Sequence, residues 1–506
     1  MYGVDILWLF DKALSFGILW YLGGFWYKHL YPFIEKNAPK KRLPFGQKPL
    51  RKRKVLHPES YDIGIIGGGV TGTAQAYIFS QFMKGVEKIL FLEKNKDVAL
   101  VNSNTASNAQ TAHGGDTETN FSFEKALKMR DAEHFLASFL EKLGLGAFRV
   151  VYKMAYGVGE EVKILIERFR MLGFHYPTLR LIGREELWHI ERKLIEGRDP
   201  NIPVAALYRP NGYSVDYHKL AKCFEREFGT SGKVTPWLKT KTRRIVKKDG
   251  FFEIRTNNGI FQAKMVLVAA GPYSLLFAHD LGYATDYTIL PVAGSFYRTR
   301  AVVLKGKVYP VQDPDLPFAR LHMDPDVNNP GEMRFGPTID FIPLLERNHW
   351  RTFLDFFRTG LVSFRGQRSV LKILRKKKIA RLVVKNLIYK IPLLGKYFVL
   401  RAARNIVPTL NYRDIWYAKG EGGIRPQIID LKTGELVTGT GKIKGENIIF
   451  DITPSPGASD CIRNALINAK LIEESSRRKY EFDATKFLEE FPETKEAISR
   501  LMETAL

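Results

Sequence analysis

The sequence predicts an α/β fold joined to antiparallel β structure. Three observations carry that expectation. A glycine-rich turn separates a short apolar run from a helical pattern near residue 67. Residues 290 to 345 alternate apolar and polar, with prolines at the turns. A strongly basic stretch of helical composition runs from 351 to 404.

The elements follow in order. Tyr61 to Ile66 is apolar and short, which suits a buried strand. Gly67-Gly68-Gly69-Val70-Thr71-Gly72 comes next, and Thr73 to Met83 is helical in pattern. Ile89 to Glu93 reads as the second strand of a βαβ opening, with a right-handed crossover expected. Residues 124 to 142 and 159 to 172 have helical periodicity. Lys241 to Lys248, Phe251 to Thr256 and Phe261 to Lys264 read as a three-strand meander, with turns at Asp249-Gly250 and Asn257-Asn258-Gly259. Met265 to Ala270 reads as a separate core strand. The basic stretch should be helical, broken at Pro392. Ile448 to Ile452 is a last strand, and the turn Pro454 to Ser459 leads into a helix through about Ser475. No internal repeat is visible.

Composition narrows the class. A chain of 506 residues with 45% apolar and 26% charged residues has enough material for two domains. Its two cysteines, Cys223 and Cys461, lie far apart, which excludes a disulfide framework and suits a reducing compartment on the cytosolic side. No metal site emerges, because Asp324, Asp326 and Asp340 are scattered and two lone cysteines make no tetrahedral cage. The net charge of +25 is localised. Lys36 to Lys54 holds nine Lys/Arg and no acid; Arg351 to Arg404 holds fifteen and one acid, Asp355. No aromatic-basic recognition motif accompanies them, which disfavours nucleic acid. Residues 1 to 35 form an arm rich in aromatics, including Trp8, Trp20 and Trp26, whose longest uncharged run is the fifteen residues Ala13 to Tyr27. A span needs roughly 20 apolar residues, so an interfacial anchor on an anionic leaflet fits better. The alternatives are an arm packed on the body or on a second subunit. Residues 36 to 58 then form a basic linker.

The glycine turn carries the first chemistry. Gly67-x-Gly69-x-x-Gly72 has the spacing of a Rossmann-like dinucleotide site. The first glycine makes a tight turn, the second admits a pyrophosphate, and the third lets helix and strand pack. Glu93, 21 residues after Gly72, is placed to accept hydrogen bonds from a ribose 2′-hydroxyl and would repel a 2′-phosphate. Downstream residues favour FAD over NAD. Asn102 to Thr111 is a run of small hydrogen-bonding side chains, including Ser103, Ser107 and Asn108, that can line a pyrophosphate and ribityl chain. Ala270-Gly271 and Gly457-Ala458-Ser459 are further places where backbone can approach a flat cofactor. Lys94 and Val246 complete the cofactor-binding candidates, and Cys461 is a minor candidate for a covalent flavin link.

Longer blocks, from about Tyr61 to Glu474, resemble the malate:quinone oxidoreductases, within the D-amino-acid-oxidase-like flavoproteins. They are Gly67 to Gly72, Ser103 to Gly114, Glu196 to Pro200, Val215-Asp216-Tyr217, Leu290 to Tyr297, Phe335-Gly336-Pro337, Gly423 to Gln427 and Thr453 to Ser459. The N-terminal arm lies outside the resemblance. The resemblance implies an FAD-binding domain assembled from discontinuous segments, here 59–130, 205–275 and 405–475. A substrate-binding antiparallel sheet from 131–204 and 276–350 would cover the flavin. Residues 351–404 would be a basic amphipathic insert and 476–506 a helical tail. The implied reaction is hydride transfer from C2 of malate to flavin N5, with electrons passed to a quinone.

Oxidising a hydroxyl needs a base, and a dicarboxylate needs cationic clamps. His322, in Leu321 to Pro325, is the preferred base; His113, after the loop motif, is a second catalytic candidate facing flavin or substrate. Arg425 is the expected carboxylate clamp, with Tyr297 and Gln427 as further substrate-binding candidates. The basic insert interleaves Leu371, Ile373 and Leu374 with Lys372 and Arg375, a pattern that suits an anionic membrane surface near a membrane-dissolved quinone. A peripheral or monotopic enzyme on the cytoplasmic side of the cell membrane is therefore expected, with homo-oligomerisation open. A dehydrogenase for 2-hydroxyglutarate or a related acid, and a catalytically idle flavoprotein, are the competing expectations.

Overall fold

A computed structural model describes residues 59–313, 320–361, 364–375, 381, 393–437, 441–453 and 456–504. The aromatic arm, the basic linker and Pro392 lie outside them. The apolar strand Ser60–Ile66 sits at the centre of the first sheet. It pairs in parallel with Ile260–Val268 on one side and Ile89–Leu92 on the other; Ile448–Ile452 and Val234–Trp237 extend the parallel order outward. A parallel strand covered on both faces must be apolar throughout, and six of the seven residues of Ser60–Ile66 are buried.

Three helices cover one face. Val70–Phe82 packs against Cys461–Ser475 and Tyr217–Thr230, around Tyr77, Phe79, Phe139 and Phe224. The meander Thr242–Lys247, Phe252–Thr256 and the start of Ile260–Val268 packs on the other face through Ile245, Phe252 and Ile254. The expected break at Lys264 does not exist. One strand, Ile260–Val268, starts in the meander and continues as a core strand, so its alternating first half and fully buried second half look like two elements in sequence.

Two mainly antiparallel assemblies complete the body, with one parallel pairing, Lys307–Pro310 on Phe148–Val158. Tyr287–Ala293 pairs with Ile424–Asp430, flanked by Asp340–Phe341 and Glu435–Leu436. An eight-stranded sheet runs Ile415–Ala418, Phe296–Thr299, Met333–Gly336, His322–Pro325, Lys307–Pro310, Phe148–Val158, Val204–Val215 and Arg180–Gly183. The expected domain boundaries therefore shift. Val204–Val215 and Ile415–Ala418 belong to the antiparallel sheet, because their partners are Phe148–Val158 and Phe296–Thr299. Phe123–Leu143 packs against Cys461–Ser475 on the parallel-sheet side, although most of it falls within 131–204.

The basic stretch contains the helices Phe364–Leu374 and Leu394–Arg404. Both cysteines are free and buried. Cys461 is fully enclosed in the helical core, where burial pushes its thiol far up, and it does not reach the cavity described below. That removes it as a flavin attachment point. No helix among the described residues is long and apolar enough to cross a membrane.

Candidate functional site

An elongated cavity is walled by the C-terminal ends of the parallel strands, the loop 99–113, the start of Ile424–Asp430 and the turn before Cys461–Ser475. Binding at the carboxyl ends of parallel strands is the general rule for open α/β sheets. The glycine turn shapes one end. Gly67 has φ +110°, and a Cβ there would lie 2.4 Å from Ala269 O. A Cβ on Gly72 would sit 1.9 Å from Gly67 O, so this glycine lets the helix close onto its strand and does not itself reach the cavity. Gly69, Val70 and Thr71 line the wall where the helix begins. There the Val70 amide donates to Ser103 Oγ at 3.0 Å, and the helix N-terminus favours an anion.

Glu93 lines the same end. Its Oε2 accepts from the Gly68 amide at 2.7 Å, and Oε1 accepts from the Asn95 amide and side chain, each at 2.7 Å. The carboxylate is thereby aimed, and Oε2, which accepts a single bond, keeps lone-pair capacity for a ribose hydroxyl. Lys94 also lines this end, but its ammonium is ion-paired to Glu346 and sits over the Tyr273 ring. Val246 does not reach the cavity. The strand Thr242–Lys247 bulges between Thr242 and Arg244, and Thr240, Lys241 and Thr242 form the wall in its place. Tyr273, Leu345 and Glu346 are wall residues that the sequence did not single out. Glu346 lies in the loop just before the basic insert, and nothing local signals its reach to Lys94.

The middle of the cavity is the polar loop. Asn102, Ser103, Ser107, Asn108 and Thr111 all line it, opposite Ala270-Gly271 and Gly457-Ala458-Ser459. The block Val215-Asp216-Tyr217 explains how this loop is held. Asp216 caps the following helix through the His218 and Lys219 amides and accepts from Thr105 Oγ1 at 2.7 Å. The Tyr217 hydroxyl donates to Thr111 O at 2.7 Å and lies 3.1 Å from Ser459 Oγ. These residues anchor a cofactor loop from behind.

At the loop's end, His113 and Arg425 line the same cavity. The His113 amide donates to Ser459 Oγ, and its Nδ1 lies 2.7 Å from Glu118 Oε1; Nε2 has no hydrogen-bond partner among the described residues. Arg425 sits on Ile424–Asp430, opposite Val292. Its guanidinium has no hydrogen bond or ion pair among the described residues. Burial pushes it below its ordinary pKa, against the opposing fields of Tyr309 and Asp324. A desolvated guanidinium left without a partner beside a cofactor-shaped groove is a ready site for an anion.

The other substrate candidates lie elsewhere. His322 is one layer behind the wall, 2% exposed, stacked on Tyr309 with ring centroids 4.5 Å apart. Its Nε2 lies 3.1 Å from Asp324 Oδ2, and Nδ1 lies 3.1 Å from Arg320 O. Strand alternation places His322 and Asp324 on the face shared by Lys307 and Tyr309. This forms a buried polar layer that touches the cavity wall through the bond between the Tyr309 hydroxyl and Thr111 Oγ1, 2.7 Å, and through Lys307 Nζ, which donates to Ala109 O at 3.2 Å. Within it, burial pushes Lys307 down to about 8, while the neighbouring Lys307 and His322 hold Asp324 well below the carboxylate range despite its burial. Tyr297 is in the hydrophobic core of the antiparallel sheet, edge-on to Tyr417. Gln427 is buried two residues beyond Arg425, outside the wall. The register of the antiparallel strands, invisible in a single sequence, turns His322 and Tyr297 away, whereas Gln427 shares Arg425's face but lies beyond the wall.

Comparison with known proteins gives the family and the fold. The family model "FAD dependent oxidoreductase" matches residues 62–441. A probable malate:quinone oxidoreductase of Campylobacter jejuni is 35% identical over 435 residues, covering 82% of this chain and 96% of the relative. The human mitochondrial L-2-hydroxyglutarate dehydrogenase is 26% identical over 432 residues, covering 80% and 86%. Among solved structures, the FAD-bound L-α-glycerophosphate oxidase of Mycoplasma pneumoniae aligns with a TM-score of 0.56 at 20% identity, covering 82% of this chain and 95% of that one, and so shares the fold.

Proposed function

The chain belongs to the malate:quinone oxidoreductase family of FAD-dependent oxidoreductases, and from that premise we propose that it oxidises (S)-malate to oxaloacetate with a membrane quinone as final acceptor. When bound, FAD supplies the two-electron acceptor for the hydride leaving C2 and the donor to the quinone. The observation that carries the reading is the meeting of His113 and Arg425 in the wall of the cavity that the glycine turn and Glu93 shape. Arg425 offers a fork to a substrate carboxylate. The free Nε2 of His113 takes the hydroxyl proton, replacing His322 as the base. Glu93, the polar loop and the helix start hold the adenosine diphosphate and ribityl parts.

Membrane association rests on charge and composition. The basic segments and the aromatic arm suit a peripheral or monotopic placement on an anionic leaflet, where a quinone is within reach. Exposed Trp350, Leu354 and Leu393 lie in or beside the basic stretch. The relative named for 2-hydroxyglutarate is more distant, so malate is the favoured acid. The test is an anaerobic panel of malate, 2-hydroxyglutarate and lactate against the purified yellow protein, followed by a short-chain quinone. Malate is expected to bleach the flavin fastest, and the quinone to restore its colour. Faster bleaching by 2-hydroxyglutarate would move the protein to the sister activity.

A further inference from the structure

The loop after His113 holds a buried carboxylate that the reaction above does not yet use. Glu118 is 8% exposed. One oxygen lies 2.7 Å from His113 Nδ1, and the other accepts the Gly115 amide at 2.8 Å. The loop is clasped by Arg168, on the helix Glu161–Leu172, which donates to the carbonyls of Phe121 at 2.5 Å, Gly115 at 2.9 Å and Glu118 at 3.1 Å. Neither carboxylate oxygen is free to swing, because each is fixed by a different partner on a loop that is itself tied down.

The surroundings keep the carboxylate charged. Lys153 and Arg209, on the paired strands Phe148–Val158 and Val204–Val215, face Asp116 and Glu133 in one buried cluster. With Arg168, three cations there meet three carboxylates. Burial works against Glu118's charge, but the His113 hydrogen bond and the Lys153 ammonium outweigh it and hold Glu118 below its ordinary range, with Asp116 opposing. Lys125, on the helix that starts just after the loop, adds a further positive field.

We infer that Glu118 is the positioning residue for the base: it accepts the Nδ1–H of His113, which puts the Nε2 lone pair on the cavity side. Its negative charge then favours the imidazolium formed when the substrate O–H bond breaks and an N–H bond forms at Nε2, while the hydride leaves C2 for FAD. A neutral acceptor at this place would fix the tautomer but not favour the charge, so the two contributions are separable. The inference rests on His113 being the base.

Glu118→Gln separates them, since it keeps the volume and removes the charge. The expected result is a fall in kcat of about 10²-fold, within the ~10²–10⁴ that a positioned base contributes, with KM for malate little changed. The acid-side limb of the kcat/KM profile should move to lower pH, because the imidazolium loses its anionic neighbour. Glu118→Asp, which restores the charge, should recover most of the rate and return the limb toward its wild-type position. A kcat within about threefold of wild type in Glu118→Gln with an unmoved limb would overturn the assignment. Should Glu118→Gln fail to retain FAD, Glu118→Asp decides alone: a kcat a few-fold below wild type with KM unchanged is expected, and a raised KM with kcat unchanged overturns the assignment. An inactive His113→Asn beside a wild-type-like Glu118→Gln defeats Glu118 only, whereas a fully active His113→Asn defeats the base itself.

Discussion

His113→Asn is expected to slow anaerobic bleaching of the flavin by malate about 10²–10⁴-fold, the range for losing a positioned general base. FAD content and the KM for malate should change little. The residue ties the cofactor loop to the turn before Cys461–Ser475 through its main chain, by the hydrogen bond from its amide to Ser459 Oγ, and that bond survives the substitution. The side chain supplies the only imidazole in the cavity wall among the described residues. His322→Ala makes the contrast. His322 stacks on Tyr309 and approaches Asp324 behind the wall, so its removal leaves a cavity and weakens a buried ion group. A lowered Tm with bleaching near the wild-type rate is the expected pattern. Stopped-flow bleaching of the two variants side by side distinguishes the bases, and a reversed pattern would return that role to His322.

The contrast shows what a single sequence can and cannot convey. The glycine turn, Glu93 and the strand Ile448–Ile452 were legible because the glycine spacing, the carboxylate at the end of the second strand and a mostly apolar run each mark their element without tertiary partners. The cofactor loop was legible from its density of small polar residues. The hydroxyacid end was only half legible. Arg425 stood out because glycines precede it, but His322 was the preferred base and Tyr297 a further candidate, and which face a strand residue takes depends on its partners' register. The long pair Phe148–Val158 and Val204–Val215 escaped notice for a physical reason. Lys153, at an interior position, is fully buried, and it breaks the apolar alternation that would announce a strand. Its compensation comes from Asp116 and Glu133, which are distant in sequence and meet it only in the fold. Glu118 was hidden in the same way. Nothing in the run Gly114 to Asn120 tells that one of its carboxylates grips the imidazole at its start.

Arg425→Ala is expected to raise the KM for malate roughly 10²-fold, corresponding to about 3 kcal/mol for a desolvated guanidinium that loses its carboxylate. The flavin should stay bound, because Gly423 and Ile424 contact the polar loop through backbone: a Cβ on Gly423 would meet Ser107 O, and the Ile424 amide donates to Asn102 Oδ1 at 3.1 Å. Stability provides a second readout. Arg209, partly buried, is ion-paired to Asp116 and Glu133, and removing such a partner destabilises. Arg425 has no such partner among the described residues, and burial alone already weighs against its charge. Arg425→Met, which fills the space without the charge, should therefore leave the Tm unchanged or raise it while KM rises as in the alanine variant. A site built to bind an anion predicts that opposition of binding and stability. A fall in Tm with an unchanged KM would instead make Arg425 a structural residue, and the clamp would have to be sought elsewhere in the wall.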